Sequence, residues 1–196
     1  MELTVDQVDA IREVLNMGAG RAAGILNSMI GHPIQLSIPR VDVLHSPAVP
    51  PTNEEPTSEI ALVRLNFSGR FRGHSSLLFP NQSAANLVTL LTEEDASSPD
   101  FFAARASTLT EVGNIVINGV LGTLANLMSQ PFEVGLPIYQ EGDYQQLTTP
   151  DGRAGLVLVA QTDFLVEQLE LRGSLRLSFE VASFEAILQA LQDMTE

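Results

Sequence analysis

The sequence predicts an α/β protein of the α+β kind: one six-stranded, mainly antiparallel sheet carrying two long adjacent helices in a pseudo-twofold arrangement. Three observations lead there. The chain repeats itself at an offset of about 98 residues. Each half reads as long helix, three strands, shorter helix. No helical pattern separates the three strands of a half, which favours antiparallel meanders over parallel crossovers.

The repeat is visible in short stretches. "PIQLSIP" at 33–39 lies over "PFEVGLP" at 131–137, and "DAIREVLN" at 9–16 over "STLTEVGN" at 107–114, both at an offset of 98. "FRGHSSLLF" at 71–79 lies over "LRGSLRLSF" at 171–179, at an offset of 100. The chain therefore reads as an internal duplication: a single domain over 1–196, made of repeats at about 4–92 and 101–194.

The elements follow in order. Thr4 and Gln7 make a capping box, the mark of a helix start. Val8, Ile11, Leu15, Ala19, Ala22 and Leu26 then recur every three or four residues, so one helix continues through them. "PIQLSIPRVDVL" (33–44), "EIALVRLNFSG" (59–69) and "GRFRGHSSLLF" (69–79) alternate apolar and polar positions between turn residues, and read as strands. Residues 46–58, rich in Pro, Ser and Glu, read as a loop. "SAANLVTLLT" (83–92) reads as the shorter helix, and 92–100 as a linker whose Asp100 caps the second long helix. Leu109, Val116, Val120, Leu124 and Leu127 form the apolar side of that helix. "FEVGLPIY" (132–139), "AGLVLVAQTDF" (154–164) and "LELRGSLRLSFEV" (169–181) repeat the strands; 140–153 reads as a second long loop and "ASFEAILQALQ" (182–192) as a last helix. Three strands bury too little alone, so the halves are expected to share one sheet.

Composition narrows the function. The 196 residues carry a formal net charge of −14, and all ten basic residues are arginine. Without lysine there is no Schiff-base chemistry and no P-loop lysine. Without cysteine there are no disulfides, thiolate metal sites or cysteine nucleophiles. The acidity disfavours nucleic acid and anionic membranes as partners. No signal peptide or membrane-spanning apolar run is evident, which fits a cytoplasmic protein.

Gly18, Gly20 and Ala23 spell G-x-G-x-x-A, the outline of a dinucleotide-binding turn. Such a turn must follow a buried strand and open a helix. Here a helix that begins near residue 5 runs into the glycines, so they are expected to let another helix approach closely or to kink the segment. A nucleotide enzyme remains an alternative resting on these glycines alone.

One polar stripe repeats. At 100° per residue, Asp9, Glu13 and Asn16 share a narrow face opposite the apolar side. Ser107, Glu111 and Asn114 occupy the same angles in the second half. Asn costs a helix interior roughly half a kcal/mol against Ala. Its presence twice, beside the same Glu, points to a role in function. Pro39 and Pro137 each follow the Asn by 23 residues, and a proline in a strand implies an edge, kink or bulge. His32, His45 and His74 are scattered and read as surface or structural residues.

The complete pattern D/S-x3-E-x2-N-x22-P occurs at Asp9, Glu13, Asn16, Pro39 and again at Ser107, Glu111, Asn114, Pro137. It resembles the signature of the CheC/CheX/FliY phosphatases of chemotaxis, and the likeness covers nearly the whole chain. Two motifs resemble CheC more than CheX, which keeps one and dimerises; the chain is expected to lack the extra C-terminal domain of FliY.

The resemblance implies hydrolysis of the aspartyl phosphate on a CheY-type receiver. Asn16 or Asn114 would position the attacking water, since an amide both donates and accepts. Glu13 or Glu111 would pair with the receiver's lysine. The magnesium ion would be the receiver's, with no cofactor or metal belonging to this chain. A second partner implied by the family is the deamidase CheD. A monomer is expected, because the two halves can close on each other. Ser107 in place of Asp9 leaves the second site with one fewer negative charge. The alternative is a non-catalytic receiver-binding module related to the flagellar switch protein FliM.

Overall fold

The computed structural model describes residues 5–44, 59–70, 72–148 and 157–180. The first long helix, α1, spans Val5–Ile30, and the second, α3, spans Phe101–Leu127. Between them lie strands β1 (Gln35–Leu36), β2 (Arg40–Leu44), β3 (Glu59–Gly69) and β4 (Gly73–Pro80), then helix α2 (Asn81–Thr92). After α3 come β5 (Phe132–Val134), β6 (Ile138–Asp143), the short helix α4 (Tyr144–Thr148), β7 (Val157–Val166) and β8 (Leu171–Glu180). Thr4 of the expected capping box, the loop at 46–58, His45 and the expected helix at 182–192 lie outside the described residues.

Among the described residues every strand pair is antiparallel, and the eight strands join one sheet. They occupy six lanes, because β1 and β2 both pair with β7, while β5 and β6 both pair with β3. The six expected strands are thus present, with each edge strand broken in two.

The order across the sheet corrects the expected meanders. Only β3–β4 and β7–β8 pair as sequential neighbours; β1 and β2 cross to β7, and β5 and β6 cross to β3. The exchange has a physical reason. It lets each half cover the long outer strand of the other, and the β4–β8 pairing at the centre closes one wide sheet instead of two marginal ones.

The three longer helices pack on one face. Ile11, Leu15, Ala22 and Leu26 of α1, Ala84, Leu87 and Val88 of α2, and Leu109, Val116, Val120 and Leu124 of α3 are buried against Ala61, Val63, Leu65, Leu77, Phe79, Leu175 and Leu177. The apolar side expected for each long helix is the buried one, with Val8 and Leu127 half-buried at the margins. On the reverse face α4 packs Tyr144 over Ile60, Leu62 and Leu78.

Two local expectations fail. Asp100 does not cap α3 with its side chain: its backbone is already helical (φ −87°, ψ −6°), and its carbonyl instead accepts the Ala104 N–H at 3.0 Å. Residues 140–153 are not a loop throughout. Gln140–Asp143 complete β6 along β3. The Asp143 carboxylate then accepts the N–H groups of Gln145 and Gln146 at 2.9 and 3.2 Å, which starts α4.

Candidate functional site

The G-x-G-x-x-A residues lie inside α1, as the helical reading requires. Gly18 is buried, and a Cβ there would stand 3.3 Å from Val120 and 3.6 Å from Leu124 of α3. Gly119 of α3 meets Ile25 of α1 in the same way. These contacts run in opposite order along the two helices, which are therefore antiparallel, with their backbones close. Gly20 has open space around it.

The outward stripes are where the angles place them. Asp9, Glu13 and Asn16 are exposed on α1; Ser107 and Glu111 are exposed on α3, and Asn114 is half-buried. The helix contacts centre near Arg21 and Gly119. Asn16 and Asn114 therefore lie on opposite sides of that centre, roughly 15 Å apart along the axes at 1.5 Å per residue. The two Glu/Asn pairs are separate, and neither Glu lies beside the other's Asn.

The sites differ in detail. Asp9 pairs with Arg12 at 3.3 Å on the surface of α1, where such a bridge adds little stability. Ser107 has no such charge to pair. The side-chain amide of Asn118 donates to Oδ1 of Asn114 at 2.9 Å and to its backbone carbonyl at 2.8 Å. The residue 98 positions earlier is Gly20, which offers Asn16 no side chain.

The two motif prolines explain the broken edge strands. Leu36 faces Phe164 and Arg40 faces Gln161, so Ser37, Ile38 and Pro39 stand opposite only Thr162 and Asp163. Val134 faces Phe67 and Ile138 faces Arg64, so Gly135, Leu136 and Pro137 stand opposite only Leu65 and Asn66. Each lane carries a bulge of one extra residue at its proline, which has no N–H to donate to the ladder.

Neighbouring groups hold both bulges. Ser37 N–H donates to the Asp163 carbonyl at 2.9 Å, and the Thr162 hydroxyl donates to the Ser37 carbonyl at 2.8 Å. Gly135 N–H donates to the Asn66 carbonyl at 2.8 Å. Pro39 is buried where Leu15 and Ala19 of α1 meet the sheet, beneath the turn that carries Asn16. Pro137 is half-buried. Next to Asn114, Gly113 sits directly on Val63, whose partner across the ladder is Tyr139, two residues beyond Pro137.

The reverse face carries a buried polar group with no counterpart in the sequence reading. Arg176 is buried, donates to Gln161 at 2.8 Å, and lies over the Tyr144 ring at 5.6 Å. His74 shares this face. Its pKa is lowered to about 4 by burial and by the charges of Arg64 and Arg176.

No family model matches the sequence. Comparison with solved structures is informative. FliY of Thermotoga maritima superposes with a TM-score of 0.75, covering 99% of this chain and 100% of that one at 16% identity. The chain has the CheC/CheX/FliY fold. CheX in the CheX–CheY–BeF3–Mg complex of Borrelia burgdorferi gives a TM-score of 0.60 over 86% of this chain and 98% of that one, at 16% identity. FliM in the FliM–SpeE complex of H. pylori also shares the CheC-like fold, with a TM-score of 0.62 over 99% and 98% of the two chains at 12% identity.

The helix angles predict the outward Glu and Asn stripes, and Pro39 and Pro137 imply an edge, kink or bulge; Asn118 and the register of each bulge lie outside that reading. Asn118 was legible, one helical turn beyond Asn114 and on its face. The register of the bulges was not, because it requires knowing which strand lies opposite.

Proposed function

We propose that the chain is a chemotaxis phosphatase that hydrolyses the aspartyl phosphate of a CheY-type receiver, with one site on each long helix. The carrying observation is the pair of outward Glu/Asn stripes, Glu13–Asn16 and Glu111–Asn114, on the two long helices, with Glu13, Asn16 and Glu111 exposed and Asn114 half-buried. An acyl phosphate is labile, so the protein need only hold water in line with the leaving carboxylate. The Asn amide does this without titrating. The Glu, one turn away, pairs with a lysine of the receiver. Magnesium in this scheme is the receiver's. Attack of water on phosphorus releases inorganic phosphate and regenerates the aspartate.

A second reading is favoured by the likeness to FliM: a module that binds the receiver without hydrolysis. Phosphate release separates the two. CheY-type receivers of the same organism, phosphorylated and mixed with the chain, lose phosphate faster than alone if it is a phosphatase. Binding without acceleration supports the module.

A further inference from the structure

Ile38 and Leu136 are 84% and 87% exposed, although both are large and apolar. A single exposed apolar residue needs no explanation. These two are the middle residues of the two bulges, each followed by a motif proline. Each site adds a second exposed apolar side chain directly after its Asn: Met17, 48% exposed, and Ile115, 38% exposed. Bulges redirect side chains, and the hydrogen bonds on Ser37 and Gly135 hold the backbone just before these two residues. A backbone already held in position loses less freedom on binding than a mobile loop would.

We propose that Met17 with Ile38, and Ile115 with Leu136, form an apolar rim at each site that docks the receiver domain while the Glu/Asn pair enters its cleft. This rests on the receiver being the partner, as proposed above. Charge selects that occupant. Each rim stands beside a glutamate on a chain of net charge −14, so a second copy would bring like charges together at the contact, and an anionic lipid surface would be repelled. A domain that presents a lysine to the Glu and an apolar margin around it satisfies both parts of the surface.

The rims are unequal. Val134 and Ile138, also exposed, extend the second one around Leu136. At the place of Ile138 the first rim has Arg40, bound to Asp163 at 3.0 Å. The second site should therefore hold the receiver more tightly.

The test measures the dissociation constant for purified CheY-type receivers of the same organism, loaded with magnesium and beryllofluoride. Ile38→Ser combined with Leu136→Ser should raise it about tenfold, the size expected for one lost buried aliphatic side chain. Ile38→Leu with Leu136→Ile should restore it. The melting temperature should stay put. Unchanged affinity in the serine variant overturns the rim and leaves the phosphatase reading standing. Wild-type binding without hydrolysis, with the serine variant weakened, supports the rim and overturns the phosphatase. Failure of the wild type to bind any of these receivers overturns both. Leu136→Ser alone should cost more affinity than Ile38→Ser alone; the reverse order overturns the inequality of the rims.

Discussion

Asn118 donates its side-chain amide to Oδ1 of Asn114, 2.9 Å away and one helical turn earlier on α3. The bond fixes which end of the Asn114 amide is oxygen and restricts its rotation. One lone pair of that oxygen and both amide hydrogens remain for a water or an entering group. Gly20 stands 98 residues before Asn118, so Asn16 receives no such support.

The first prediction follows from that bond. With Asn16→Ala as background, so that only the second site operates, Asn118→Ala should lower turnover several-fold and leave receiver affinity within twofold. The converse gain is available on α1, where Gly20 has open space for a side chain. With Asn114→Ala as background, Gly20→Asn should raise turnover at the first site. It should also stabilise the helix by roughly half a kcal/mol, the difference between Gly and Asn in a helix interior. Single-turnover dephosphorylation reads both effects. No change in either variant would remove Asn118 from the mechanism.

Glycine positions give a second, structural prediction. A Cβ on Gly113 would collide with the branched carbons of Val63, which have no flexible end to move aside. Gly113→Ala should therefore destabilise, with overpacking of about 1–3 kcal/mol exceeding the gain of about 1 kcal/mol from helix propensity. Gly24→Ala and Gly122→Ala, both with open space, should instead stabilise by up to about 1 kcal/mol each. Urea denaturation of the three variants checks the sign. Because Gly113 precedes Asn114, its variant should lose turnover beyond what its stability explains.

These particulars show how far the sequence reaches. The spacing of Ile11, Leu15, Ala19, Ala22 and Leu26 is a local property, and it placed α1 and its buried side. The stripes shared by Glu13 with Asn16 and by Glu111 with Asn114 follow in the same way, by angle along a helix. Pairing is non-local. Nothing in "PIQLSIPRVDVL" says that it lies against β7 and not β3, so the exchange of edge strands was missed. Pro39 marks an edge, kink or bulge, but the one-residue excess at Ser37–Pro39 depends on Thr162 and Asp163 in the other half. The loop expected at 140–153 failed over Gln140–Thr148 for a different reason: the capping role of Asp143 needs the strand to end at that residue, and turn-rich composition hid the end.

The third prediction concerns acid. His74 has a folded-state pKa lowered to about 4, first by burial and then by Arg64 and Arg176. Its ordinary value near 6.5 applies to the unfolded chain. The unfolded state therefore binds the extra proton between these values, and stability falls as pH drops from about 6.5 toward 4. The contribution is complete above 6.5 and amounts to about 3 kcal/mol in order of magnitude. His74→Gln should flatten the stability profile between pH 6.5 and 4.5 relative to the wild type. Parallel profiles for the two proteins would contradict the buried neutral imidazole.

The last prediction bears on the sites themselves. Asn16 is exposed and Asn114 half-buried, and apart from the surface bond with Asn118 neither supports the core. Asn16→Ala with Asn114→Ala should thus change stability by only about half a kcal/mol. If each amide holds the attacking water, that double variant should lose all acceleration of receiver dephosphorylation and still bind the receiver. Glu13→Ala with Glu111→Ala should behave differently, weakening binding as well as turnover, because a carboxylate paired with lysine contributes before the chemical step. Each single Asn variant should keep part of the activity, since the sites are separate. The larger loss should come with Asn114, whose amide is held and whose neighbour is Ser107 and not an aspartate. A double Asn variant with wild-type turnover would leave the Glu/Asn stripes as binding surface alone, and the FliM-like module would then be the correct reading.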